Sequence, residues 1–484
     1  VLGSWGVRAL LALVPGRIPR LTDADGIVHA PPLDAGVALF TAGIALLTGI
    51  LFGLFPALQT SSPDLAGSLK EGGRSGTGRR HAFARSALVV LEMALSLVLL
   101  IGAALLIRTF VGLHAVSPGL DPHGVLTLRT SMAGGSYPTT ARIDAFSTQV
   151  EQRLQSLPGV VSAGASIILP MEDGVDLPFN IQGHAPAKGK FEGDEQWRSV
   201  SGDYFKVFRI PLLRGRLFTE RDKGNSASSV IINDVMARKY WKNSDPVGQT
   251  IVIGQGLGPQ FADPPRQIVG IVGAVCESGL SDGKVSVMYI PQSQTPQGIT
   301  DLANSIIPLS WEVRTAGEPM AMRAAIEREF RAVDGLLPIS QVRTMDQVMA
   351  ASIGRQNFNM TLLTVFAAIA LLLASIGIYG LMAYSVEQRA QEIGIRMALG
   401  ASQRDMLRLV VLQGMKLAGI GVAIGLAAAF GLTRLLGHLL FGVKSSDPVT
   451  FAVVAAVLTA VAAVATYFPA RHAAAVNPTQ ALRQ

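Results

Sequence analysis

The chain is short of the residues on which several large function classes depend. It has a single cysteine, Cys276, so neither a disulfide framework nor a cysteine-based metal site can be built within it. Its seven histidines are scattered and no HExxH run occurs, which sets a zinc hydrolase aside. No GxxxxGK run followed by Ser or Thr is present. Gly189-Lys190 and Gly283-Lys284 lack both the upstream glycine and the hydroxyl residue of a phosphate-cradling loop. Charge is scarce too: Asp, Glu, Lys and Arg make up 15% of residues, against roughly a quarter in soluble domains.

What is abundant is apolar sequence, and it comes in runs. A helix needs about 20 mostly apolar residues to cross the hydrocarbon core. Five stretches qualify: Ala35–Leu58, Ser86–Leu113, Phe358–Ser385, Leu409–Leu436 and Val449–Ala470. Val1–Val14 reads as the outer end of a cut sixth span, although Arg8 weakens it. No basic segment and cleavage site precede that stretch, so the chain is read as a fragment of a longer protein.

Lys and Arg in the short loops set the orientation. The linker after the first full span holds Lys70, Arg74, Arg79, Arg80 and Arg85; loop 386–408 holds Arg389, Arg396, Arg404 and Arg408; the tail holds Arg471 and Arg483. The opposite short loops carry only Arg17, Arg20 and Lys444. Linker, loop and tail are therefore inside, and residues 114–357 lie outside. The formal charge of +7 is accounted for by this bias, without nucleic acid as a partner. Gly-rich Leu69–Ser86 is expected to be a flexible cytoplasmic linker, with anionic lipid binding as the alternative.

The external segment changes character to prolines, turn dipeptides and short β-branched runs. Helical patterns in 141–157 and 320–334 each end at a turn and lead into a strand, which predicts βαβ-like units on a sheet. "SSVIIND" and "RQIVGIVGAV" read as strands, and "SDPVGQ" and "LSDGK" as turns. The expected fold is a polytopic α-helical membrane protein with a large extracytoplasmic α/β domain in two lobes. No catalytic constellation is legible. Ser201 is not in a GxSxG elbow, and Cys276 and the aromatics Trp197, Tyr204, Phe205 and Phe208 read as core.

Glu92 is the one carboxylate inside a span, and a structural polar contact is expected of it more than a proton relay. Lys416 reads as the only other clear charge in the spans, close enough to an end to snorkel. Gly49 with Gly53, and Gly421 with Gly425, are GxxxG pairs that permit close helix approach, in this chain or to another.

An internal repeat is visible. Phe55-Pro56-Ala57 and Phe468-Pro469-Ala470 each close an apolar span, and Leu69-Lys70 and Leu482-Arg483 stand thirteen residues after the respective first prolines. Residues 1–70 thus resemble the end of one copy, with 71–85 as linker and a complete second copy following. These features, with "LVVLEMALSLVLLIGAALLIRTF", "YFKVFRIPLLRGRLFTERD", "DPVGQTI", "EIGIRMALGAS" and "FPARHAAAVNPTQALR", resemble the FtsX/MacB-like permeases of ABC transporters in their duplicated form. The resemblance implies a first helix at 86–113, a MacB-like periplasmic core domain at 114–357, and an FtsX-like permease domain with three spans at 358–484.

The resemblance also implies that the stretch between the second and third helices of the unit couples to an ABC-type ATPase, which binds ATP with Mg2+. Its contact candidates are Glu392, Ile393, Gly394, Arg396, Leu399, Gly400 and Arg404. Physically, Val386, Ala390, Ile393 and Met397 share one helical face, Gly400 can stop that helix, and Ser402 with Asp405 forms a capping-box pattern. On physics alone, a helix lying on the membrane surface fits as well as a docking helix. Efflux would add a membrane-fusion protein and an outer-membrane channel as partners. The alternative function is a signalling protein whose external domain senses a ligand or controls a cell-wall enzyme.

Overall fold

Long apolar runs become helices because the backbone must satisfy its own hydrogen bonds wherever water is excluded. A computed structural model describes residues 35–60, 76–133, 135–184, 190–224, 226–242, 244–261, 263–388, 395–396, 402–435, 437, 440, 442–444 and 446–474. Helices α1 (Ala35–Thr60) and α2 (Gly76–His114) come first. The external elements follow: β1 (Val125–Thr130), α3 (Thr140–Ser156), β2 (Val160–Ser166), β3 (Val175–Ile181), β4 (Gly193–Val200), α4 (Tyr204–Val207), β5 (Leu212–Gly215), β6 (Ser229–Asn233), α5 (Asp234–Tyr240), β7 (Thr250–Ile253), β8 (Arg266–Val272), β9 (Val287–Pro291), α6 (Gln297–Ile306), β10 (Leu309–Thr315), α7 (Arg323–Val333), β11 (Ile339–Thr344) and α8 (Met345–Ser352). The chain closes with α9 (Gly354–Gln388), α10 (Gln403–Leu432) and α11 (Pro448–Ala474). It divides into a helical membrane unit and an external unit covering Leu113–Arg355.

Among the described residues four helices are long and apolar enough to span: Ser86–Leu113, Asn357–Glu387, Gln403–Leu432 and Pro448–Arg471. α1, at 26 residues, matches the first full stretch read from the sequence; Val1–Val14 lies outside the described residues. Two boundaries differ from expectation. Residues 76–85, read as flexible linker, are the first turns of α2, because extending an existing helix gains one hydrogen bond per residue fixed. The third span starts at Gln403 instead of Leu409, since Ser402 caps it there.

The membrane unit packs by fours. Val89, Met93, Leu97, Ile101 and Leu105 form one stripe on α2, meeting Ala374, Ile378 and Met382 of α9 and Leu458 and Ala462 of α11 in one buried cluster. Residues spaced by four form the ridges that interdigitate when helices cross.

The external unit has two lobes, as the sequence predicts, built on an 11-stranded sheet. In the first lobe the order is β11-β1-β10-β2, every pairing antiparallel. β1-α3-β2 and β10-α7-β11 are split βαβ units, each with a strand of the other inserted between its own two. Phe146 and Val150 of α3, Ile326 and Phe330 of α7, and Trp311 of β10 share its core. In the second lobe β6 and β8 pair in parallel with α5 packed on both, a βαβ-like unit within a sheet that closes on itself. β4, β3, β7, β8, β6 and β9 follow one another, and β9 returns to pair in parallel with β4, so six strands close into a ring. Alternate residues such as Phe179 and Ile181, Ile251 and Ile253, and Val230 and Ile232 fill it. A single residue pair, Ser166 with Val200, joins β2 to β4 between the lobes.

Candidate functional site

The proposed coupling segment follows α9. Arg396 and Arg404 lie among the described residues and are exposed; Glu392, Ile393, Gly394, Leu399 and Gly400 lie outside them. The capping box predicted from Ser402 and Asp405 is present. Ser402 Oγ accepts from the Asp405 amide at 3.3 Å, and Asp405 Oδ2 accepts from the Ser402 amide at 3.3 Å. In the turns that follow the cap, Arg404 and Arg408 are exposed. Among the described residues, Arg396, Arg408 and Lys416, with Asp405 as the one carboxylate, border a cleft of about 560 Å³ also lined by Val386, Met406 and Leu409. Exposed Arg404 and Arg408 near the positive end of α10 favour an acidic partner surface.

The intramembrane residues are placed by packing. Gly421 and Gly425 are buried on α10. A Cβ at Gly421 would lie 2.6 Å from Met93 Cβ, and one at Gly425 would lie 2.9 Å from the Ala94 carbonyl oxygen. Their partner is therefore α2 of the same chain. Gly49 and Gly53 fall within α1. Glu92 lies against Gly377 of α9, its carboxylate filling the space a side chain there would need. A charge that the reading of the spans passed over is Arg108, inside the second apolar stretch. It pairs with Asp447 at the start of α11 and donates to Thr450 Oγ1 at 3.2 Å. Asp447 and Thr450, spaced as a helix cap just before the last span, were the available signal.

The external unit holds a second candidate, also missed, in a cleft of about 440 Å³ bounded by α3 of the first lobe, by α4, which packs on β2 and β10, and by the 217–223 segment of the second lobe. Glu151, 8% exposed, accepts a hydrogen bond from Ser201 Oγ. Gly202 at φ +52° leaves room for that carboxyl, since a Cβ there would stand 2.5 Å from Glu151 Oε2. Burial pushes the Glu151 carboxyl up to about 8, outweighing the Ser201 hydrogen bond that lowers it. The raised value means the folded state holds a proton that the unfolded chain releases above the usual carboxylate range. This contribution to stability is complete below about pH 4.5 and is lost as pH rises through 8. Glu151→Gln is therefore expected to match the wild type in thermal midpoint at pH 4.5 and to exceed it by several degrees at pH 9. A constant offset across that range would contradict this.

Comparisons with known proteins follow the same division. Residues 86–333, just over half of the chain, match the MacB-like periplasmic core domain, and residues 364–478 match the FtsX-like permease C-terminal family. The macrolide export ATP-binding/permease protein MacB of Acinetobacter baylyi is 28% identical over 291 residues, covering 58% of this chain and 41% of that protein. The pyoverdine export ATP-binding/permease protein PvdT of Pseudomonas putida is 31% identical over 282 residues, covering 57% and 41%. The chain thus spans about two fifths of the length of these relatives. The crystal structure of the periplasmic region of MacB from Actinobacillus actinomycetemcomitans aligns over 49% of this chain and 95% of its own, at 15% identity and a TM-score of 0.31. The extracellular domain of YknZ, a noncanonic ABC-type transporter from Gram-positive bacteria, aligns over 45% and 100% at 16% identity and a TM-score of 0.28. The chain belongs to the MacB/FtsX-like family of ABC transporter permeases, as a multi-pass inner-membrane protein whose α/β domain is periplasmic.

Proposed function

We propose that this permease transmits ATP-driven motion from an ABC-type ATPase unit to its periplasmic domain, where the substrate is handled outside the membrane. The observation that carries the reading is the capped inner end of α10, with Arg404 and Arg408 exposed beside Arg396 at the edge of an open cleft. The relatives' names join ATP binding to a permease. These 484 residues contain no phosphate-cradling loop, so ATP and Mg2+ would be bound by an ATPase unit outside them. Glu392, Ile393, Gly394, Leu399 and Gly400 complete the proposed contact. In an export system a membrane-fusion protein and an outer-membrane channel would receive the cargo.

The test is co-purification with the ATPase and measurement of its stimulated turnover. Reversing charge at Arg396 and Arg404 to Glu is expected to lower stimulation by about tenfold. Folded yield should be unchanged, because both residues are exposed. Undiminished stimulation in the double variant would remove the coupling role.

A further inference from the structure

The interlobe cleft is polar, but its polarity is one-sided. Lys206 is paired with Asp203 and Lys223 with Glu220, each at 2.8 Å, and Asp222 is paired with Arg216. Three side chains of the lining have acceptor capacity left over. Half-buried Asp144, one helical face along from Glu151 on α3, makes no ion pair or hydrogen bond among the described residues. Glu151 uses only Oε1, toward Ser201. Gln292, 6% exposed and in the same wall, has an Oε1 with no hydrogen-bond partner. Gln292 Oε1 is buried without a donor, which costs free energy unless a ligand supplies an N–H, and Asp144 and Glu151 stand in the same lining. Phe205 and Phe218, with ring centroids 6.2 Å apart, supply an aromatic side.

We propose that this cleft is a binding site for an organic cation bearing a flat apolar body, its N–H groups donating to Asp144, Glu151 and Gln292 and its body packing on Phe205 and Phe218. Cations are attracted to ring faces as well as to carboxylates. The cleft volume lies in the range of small-molecule sites. A metal ion is a poorer fit, since no three carboxylates or imidazoles among the described residues are placed to hold one. Binding of the cation draws Glu151 into its ionised form and releases its proton. Asp144 and Asp203 oppose that ionisation, and Lys223 and the Ser201 hydroxyl assist it. The site stands independently of coupling to an ATPase, so loss of either reading leaves the other intact.

The probe is benzamidine, with neutral benzamide and anionic benzoate as controls. Saturation-transfer NMR would be run on the full chain in phosphatidylcholine nanodiscs, with empty nanodiscs as the blank. Benzamidine is expected to bind saturably and at least tenfold tighter than benzamide, with no benzoate binding. Its affinity should rise between pH 6 and pH 8 and fall about tenfold in Asp144→Asn and in Glu151→Gln. Absence of benzamidine binding, equal binding of benzamide, binding of benzoate through the lysines, or unchanged affinity in both variants would overturn the site. If Glu151→Gln fails to fold, Asp144→Asn, at a half-buried position, decides alone.

Discussion

Arg198→Met is expected to destabilise the periplasmic domain by about 3–5 kcal/mol, the range for removing one partner of a buried ion pair. Arg198 on β4 and Glu277 beyond β8 are both fully buried, with Arg198 Nε donating to Glu277 Oε2 at 3.2 Å. Among the described residues, Glu277 otherwise accepts from Tyr289 Oη alone, at 2.7 Å. Without the guanidinium, the carboxylate is left buried with one donor fewer and no opposite charge, which costs free energy. Unfolding by denaturant, followed by the fluorescence of buried Trp197, Trp241 and Trp311, reports this unit. Arg198→Met/Glu277→Gln should recover a large part of the loss, because the uncompensated charge is gone. A double variant no more stable than Arg198→Met would assign the cost to packing alone.

The second large effect belongs to the membrane unit. Gly425→Leu is expected to lower stability by about 1–3 kcal/mol or more, the range for overpacking, because the Ala94 carbonyl and Leu97 occupy the space its side chain would need. Gly419 is an internal control on the same helix: a Cβ there meets nothing within 4 Å. Gly419→Leu should be neutral, or gain up to about 1 kcal/mol in helix propensity. Heating in detergent followed by size-exclusion chromatography would separate the two. Equal loss in both variants would point to helix distortion, and loss in neither would mean that α2 and α10 do not approach as closely as described.

The elements that could be read from the sequence are those whose signal is local. The spans, the Ser402–Asp405 cap and the strands flanking α3 and α7 each announce themselves within about a dozen residues. The closed ring does not. Val230 and Ile232 show which face of β6 is buried, but alternation cannot say that β6 pairs in parallel with β8 or that β9 reaches back to β4. Arg198 and Glu277 carry no local mark of burial, because their burial depends on which elements pack around them. Glu151 was invisible for a related reason. On its own helix it is one more polar residue, and only the turn at Ser201–Gly202 makes it a buried carboxyl. Arg108 shows the opposite failure, since Asp447 was in plain view at the start of the last span.

The strand order also governs when this domain can take shape as it leaves the translocation machinery. β1 and β2 are separated by β10, so the first strands wait for residues 309–315 before either gains its central neighbour. The ring waits for β9 at 287–291 to seal against β4. Until then both sets of strands have open edges exposed to other chains, the condition under which nascent β-structure aggregates. The ring can close once residue 291 has emerged, whereas the first lobe waits for β10 and then for β11 at 339–344, so its maturation is a late event whose rate is set by pairings far apart in the chain. Truncation anywhere before β10 leaves the first lobe without its middle strand, so a stalled nascent chain would be a target for periplasmic proteases and not a half-finished domain.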